Sequence, residues 1–190
     1  MTLPIRTSLL LLLLALPFAS VEAEDDKYAD TIKVFQNAGE SGSFFGNSYG
    51  YAVCPTIGKG GIGIGGAYGK GRVYVGDKYV GDTSMTQLTL GLQLGGQAYS
   101  QIIFFEDKRA FDEFTTGNFE FGAQATAVAI TAGVSAGAST AGSSAGASGG
   151  KNNATTVGQY QKGMAVFTVA KGGLMYEASI GGQKFSYTAK

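Results

Sequence analysis

The stretch from Gly58 to Gly71 is dominated by glycine yet keeps a period of two: Gly61, Gly63 and Gly65 alternate with Ile62, Ile64 and Gly66. Glycine in a helix interior costs about 1 kcal/mol relative to alanine, so a stable helix is excluded here. A strand suits the pattern, because alternation puts isoleucine on one face and bare backbone on the other, against which something large can pack. The bias runs through the whole chain, with 31 glycines among 190 residues against a usual share of about 7%. With 3 prolines and no Gly-X-Y period, neither a collagen-like helix nor a proline-rich linker explains it. Folded β-structure with close backbone contacts does.

The first two dozen residues follow a different pattern. Arg6 precedes an apolar run from Leu9 to Phe18, and small residues come next, the layout of a secretory signal peptide. Val21 and Ala23 occupy the small-residue positions, which places the cut after Ala23, ahead of Glu24-Asp25-Asp26. A retained anchor is the alternative, but an apolar core of about 10 residues is short of the roughly 20 that span a bilayer as helix. A lipoprotein would need a cysteine at the cut, and the single cysteine is Cys54. The expectation is a cleaved peptide over 1–23 and a single domain over 24–190, exported to the periplasm or secreted, and peripheral on the cell envelope if it stays there. That domain holds by packing without an internal disulfide, and Cys54 reads as a small buried hydrophobe.

Residues 25–37 read as a helix, with Asp25 and Asp26 at its positive amino end and Tyr28, Ile32 and Phe35 recurring at spacings of four and three. Gly39 would end it. Strand signals follow: Gly50 to Cys54 stopping at Pro55, the glycine-dense segment, a turn at Gly69-Lys70-Gly71, Arg72 to Val75, a turn at Gly76-Asp77, and Lys78 to Val80. Leu88, Leu90, Leu92 and Leu94 alternate with polar or bare positions, and Ile102 to Phe105 is a continuous apolar run; both read as strands. Ala110, Phe111 and Phe114 predict a short helix to about Thr116, closed by Gly117, and Phe119 to Ala127 alternates again. An Ala/Ser/Gly/Thr segment reads as a loop over about 135–153. Val166 to Val169 and Leu174 to Ile180 bracket Lys171-Gly172-Gly173 as a hairpin, and Gln183 to Tyr187 makes a last strand. The fold class expected is α+β and strand-dominated: a twisted antiparallel, glycine-rich sheet able to curl toward a barrel, with an amino-terminal amphipathic helix and one short internal helix.

The chemistry-bearing motifs are few. Gly61 to Gly66 has dinucleotide-binding spacing, but the glycines continue into strand and not into a helix. The phosphate-loop pattern fails because Gly69-Lys70 is followed by Gly71. With no histidine, the commonest general base and the imidazole metal ligands are missing. Glu106, Asp107, Asp112 and Glu113 share a short helix with Lys108 and Arg109, the pattern of a solvated face. Asp25-Asp26 lacks the spaced oxygens of a calcium loop. No catalytic residue, metal site or cofactor is expected, and a formal net charge of zero without a basic block speaks against nucleic acid.

What remains points to binding. Lys27 and Lys33 flank the helical stripe of Tyr28, Ile32 and Phe35, and two uses fit it: covering the sheet, or lying on a membrane surface. Lys59, Lys70, Arg72 and Lys78 gather in sequence around the glycine-rich meander, where they suit phosphate head groups or simple solubility.

The run Tyr51-Ala52-Val53-Cys54-Pro55, then Lys59-Gly60-Gly61 and Gly65-Gly66-Ala67-Tyr68-Gly69-Lys70-Gly71, resembles the opening of the SYLF domain, a lipid-binding module also described as a Ysc-type actin-binding domain. Leu90 to Gln97, Ile102 to Phe105 and Ala170-Lys171-Gly172-Gly173-Leu174 continue the likeness in order. The chain departs from the family pattern at Asp82-Thr83-Ser84-Met85 and at Gly133 to Gly137. The resemblance implies a non-enzymatic domain that binds anionic phospholipids with phosphoinositide-like head groups at a membrane surface, its amino-terminal amphipathic helix inserting the apolar stripe while nearby basic residues meet the head groups. The candidate residues carried over are Lys27, Lys33, Phe35, Lys59 and Lys70, with Arg72 added by proximity. Actin, a partner of some family members, does not suit an exported chain. An envelope module that binds other proteins, and a carrier of small molecules inside a closed sheet, are the competing readings.

Overall fold

Strand β1 spans Gly50–Val75, 26 residues without a break, so the glycine-rich segment is extended throughout. It does not run straight. A Cβ added at Gly71 would lie 2.6 Å from Cys54 Sγ and 2.8 Å from the Val53 carbonyl oxygen, and one at Gly69 would lie 2.6 Å from Ile57 Cγ1. Gly50 meets the backbone of Tyr74 in the same way. The second arm of β1 therefore lies against the first, and the strand doubles back through the glycines between them. Gly61, at φ +149°, sits in that bend with a backbone that side chains rarely adopt. At Gly69 and Gly71 the group against the bare backbone is β1's own first arm.

The computed structural model describes residues 18–91, 96–130, 159–171 and 179–190. Around β1 lie α1 (Phe18–Asn37), α2 (Gly39–Gly42), a 3-10 turn (Ser43–Gly46), β2 (Lys78–Gly91), β3 (Gln97–Phe105), α3 (Lys108–Phe114), β4 (Phe119–Glu120), β5 (Val128–Ile130), β6 (Met164–Lys171) and β7 (Lys184–Ala189). The sheet order is β4-β7-β2-β1-β3-β6-β5. With the two arms of β1 counted separately the sheet has eight strands, curled into a half-barrel. The curl shows in one contact: Gln101 of β3 donates to Gln183, just before β7, at 2.8 Å, although β1 and β2 lie between them in the sheet.

Several expectations from the sequence are met. The fold is strand-dominated with an amino-terminal helix and a short internal one. α3 is capped by Asp107, whose carboxylate accepts from the Ala110 N–H at 2.9 Å. The Gly76-Asp77 turn joins β1 to β2, with Gly76 at φ +56°. Other expectations are corrected. No turn interrupts β1 at Gly69-Lys70-Gly71. Pro55 does not end the strand; the register with β3 shifts between Cys54 and Ile57, a bulge that absorbs the missing N–H. α1 is already helical at Phe18, the first described residue, so Asp25 and Asp26 are not in its first turn. The Phe119–Ala127 strand shrinks to two residues, and β5 joins β6 in parallel, so the sheet is not wholly antiparallel. The expected 135–153 loop, the Leu92–Leu94 end of the leucine pattern and the Lys171-Gly172-Gly173 turn lie wholly or partly outside the described residues.

Two cores divide the sheet. On the convex face, Tyr28 and Phe35 of α1 pack with Tyr51, Val53, Tyr74, Ile102, Phe104 and Phe167. Phe44 adds ring contacts to Phe104 at 5.4 Å and Phe167 at 5.1 Å. The concave face holds Cys54, Ile57, Met85, Ile103, Phe105 and Phe185, closed by Phe114 of α3. Cys54 is fully buried, which pushes its thiol up to about 12.

Gly71→Val is expected to cost about 2–3 kcal/mol in chemical denaturation, because backbone blocks the added group, whereas Gly60, with open space around its Cβ position, should tolerate alanine to within about 1 kcal/mol. The Cys54 thiol should resist a thiol reagent in the native chain at pH 8 and react in denaturant.

Candidate functional site

Alternation along β1 places Tyr74, Arg72, Lys70 and Tyr68 in one row on the convex face. Tyr74 is buried beneath α1, Arg72 is half-buried at its edge, and Lys70 and Tyr68 emerge into solvent. Arg72 is the hinge point of the row. Its guanidinium lies 4.3 Å from the Tyr28 ring centroid and 4.8 Å from that of Tyr79, and it pairs with the Asp25 carboxylate at 2.5 Å. Burial works against its charge, but the hydrogen bonds to Asp25 and Tyr74 outweigh that and hold its pKa above the ordinary arginine value. Cation–π contact and an ion pair with an arginine side chain only 17% exposed thus fasten α1 to the sheet.

A second basic feature lies farther along the convex face, where β6 ends. Lys171 donates to Thr56 Oγ1 at 3.0 Å. Burial lowers its pKa, and the charge of Lys27 on α1 lowers it further.

The six residues nominated from the sequence separate accordingly. Phe35 is fully buried in the convex core, so its side chain belongs to the packing of α1 and not to a contact surface. Lys33 faces solvent in an i,i+3 pair with Asp30 at 3.6 Å. Lys27 is exposed on α1, Arg72 is engaged by Asp25, Lys70 is exposed beside Tyr68, and Lys59 ends the β1–β3 ladder opposite Gln97. Sequence reasoning missed Lys171, because only the order β1-β3-β6 carries it to Thr56. It also missed the outward direction of the leucine pattern: Thr83, Met85 and Gln87 are buried, while Leu88 is 84% exposed.

The two ends of the sheet differ in charge. Where β1 bends, β3 begins and β6 ends, the chain places Lys59 and Lys171, with Lys70 farther along the β1–β2 ladder and Lys184 paired to Glu120 at 3.4 Å. The opposite end carries Asp77, Glu106, Asp107, Asp112 and Glu113 balanced by Lys78, Lys108, Arg109, Lys162 and Lys190. A shallow groove there, lined by Phe44, Asn47, Glu106 and Tyr160, has Glu106 as its charged side chain and does not suit an anion.

A sequence profile of Ysc84, described as Las17-binding protein actin regulator, matches residues 86–189, more than half of the chain. The chain belongs to the Ysc84 family. The Ysc84 match starts within β2 and ends within β7, so it takes in Leu88 and Lys171 and stops short of α1 and β1. A curated relative, Beta cell expansion factor A of Aeromonas veronii, is 32% identical over 161 residues, covering 83% of this chain and 53% of the relative. The chain thus spans about half the length of that relative. The description is that of a binding and regulatory family.

Two substitutions test how α1 is held. Phe35→Ala should cost about 3–5 kcal/mol in urea denaturation. Arg72→Met, which keeps the stem but removes the charge, should cost about 1–3 kcal/mol, and Arg72→Met combined with Asp25→Asn should cost little more than Arg72→Met alone, as expected of one shared interaction.

Proposed function

We propose that this domain is a non-enzymatic binder of membranes rich in anionic phospholipids, exported and peripheral on the cell envelope. One observation carries the reading: beyond the part of the convex face that α1 covers, the sheet presents Lys171, held against Thr56, and Lys70, exposed beside Tyr68. Juxtamembrane lysines contribute about 1 kcal/mol each at an anionic surface. Family membership supports a binding role and is silent on the lipid.

The sequence allowed α1 either to insert its apolar stripe or to cover the sheet. Tyr28 and Phe35 are buried against the sheet, so α1 contributes Lys27 to a surface and keeps its stripe in the core. The competing reading, pairing of an exposed strand edge with a partner protein, is less well served. Among the described residues the sheet's edge strands are β4, of two residues, and β5, of three, too short to template a partner strand.

Flotation of the full domain with vesicles tests the proposal. Binding is expected to phosphatidylglycerol-containing vesicles at low salt, to be absent with phosphatidylcholine alone, and to fall as salt approaches about 1 M, where the Debye length is about 3 Å. Lys27→Glu with Lys171→Glu should weaken binding by at least about tenfold. Folded protein that stays off anionic vesicles at low salt would remove the proposal.

A further inference from the structure

Three large apolar side chains are exposed among the described residues: Val34 at 40%, Tyr68 at 52% and Leu88 at 84%. Val34 stands apart on α1. Tyr68 and Leu88 are neighbours, because Tyr68 pairs with Thr86 and Gly66 with Leu88 across the β1–β2 ladder. That places them diagonally on one face, roughly 7–8 Å apart at Cα. The glycine opposite Leu88 has no side chain to cover it, which accounts for its exposure. The ladder continues past them to Ile64 opposite Leu90 and Gly63 opposite Gly91. The row Tyr74, Arg72, Lys70, Tyr68 thus changes character along its length, from helix-covered core, through a neutralised arginine, to a free-standing pair of apolar groups beside a lysine.

From this arrangement we infer that the convex face of the β1–β2 ladder at Leu88 and Tyr68 is the element that enters the bilayer interface, while α1 stays docked. The occupant is a lipid surface, and charge complementarity argues for it. Lys70 stands two residues from Tyr68, and Lys171 emerges from the same convex face. An exposed leucine enters the acyl boundary, a tyrosine places its ring at head-group level with its hydroxyl in water, and lysines meet phosphate. Those lysines turn this face toward an anionic leaflet. Glycines on the facing strand let the ladder approach the surface without side chains to displace head groups.

The inference rests on the membrane-binding reading, and the test separates the two. The full domain, Leu88→Ser, Tyr68→Ser and the double variant are compared by flotation with vesicles of phosphatidylglycerol and phosphatidylcholine, with circular dichroism and thermal melting to confirm folding. Leu88→Ser alone should weaken binding about tenfold, since burying a leucine is a large apolar gain, and the double variant further, with melting unchanged because both positions are exposed. In a second readout, tryptophan placed by Leu88→Trp, in a chain that has none, should be quenched by lipids brominated in the acyl chain. Failure of the unsubstituted domain to bind would sink the reading itself. Binding retained in the folded double variant, or no quenching of Leu88→Trp in a bound domain, would overturn the inference and leave the reading standing. Self-association without lipid that Leu88→Ser abolishes would instead make this face a contact between two copies, which also overturns it.

Discussion

The doubling back of β1 sets the geometry of everything else. Cys54 and Ile57 of the first arm occupy the space that side chains would need at Gly71 and Gly69 of the second, so two arms of one strand lie side by side at backbone distance. β3 then adds to the first arm and β2 to the second. Strands that are remote in sequence curl around one concave core, close enough for Gln101 and Gln183 to bond across it. The glycines act here through what they leave out: bulk at the arm-to-arm contact, and cover over Leu88.

Arg72 links that sheet to α1. It stands where the covered part of the convex face gives way to the exposed part, held between two tyrosine rings and the Asp25 carboxylate. Its charge is used internally, so the basic side chains left to face a partner are the lysines beyond it. This division lets one face hold an aromatic core and, beyond it, the exposed lysines of the proposed binding surface. The helix stabilises the first and presents Lys27 to solvent.

Local signals were read well from the sequence. The short helix around Ala110 and Phe114, the Gly76-Asp77 turn and the helical stripe of Tyr28, Ile32 and Phe35 each depend on neighbours within a few residues. What failed depends on pairing between distant segments. The glycine pattern predicts a strand but cannot say that the bare backbone at Gly69 and Gly71 meets Ile57 and Cys54 of the same strand. Leu88 to Leu94 predicts alternation, yet the side that faces the core is set by the register with β1 and β7, and that register buries Met85 and Gln87. Lys171 looks like one more residue of a hairpin until β6 is placed beside β3. Asp25, read as a helix start, is a partner for Arg72 47 positions away.

The family places the chain among binding domains, and the structure offers two candidate membrane elements: a helix whose apolar stripe is already in use, and a ladder face whose apolar side chains are not. Hydrogen exchange of the full domain, measured with and without phosphatidylglycerol vesicles, compares them most directly. The account predicts new protection at residues 66–70 and 86–88, with exchange in α1 and beneath it unchanged. Protection confined to α1, or faster exchange in the strands it covers as it leaves the sheet, would contradict it.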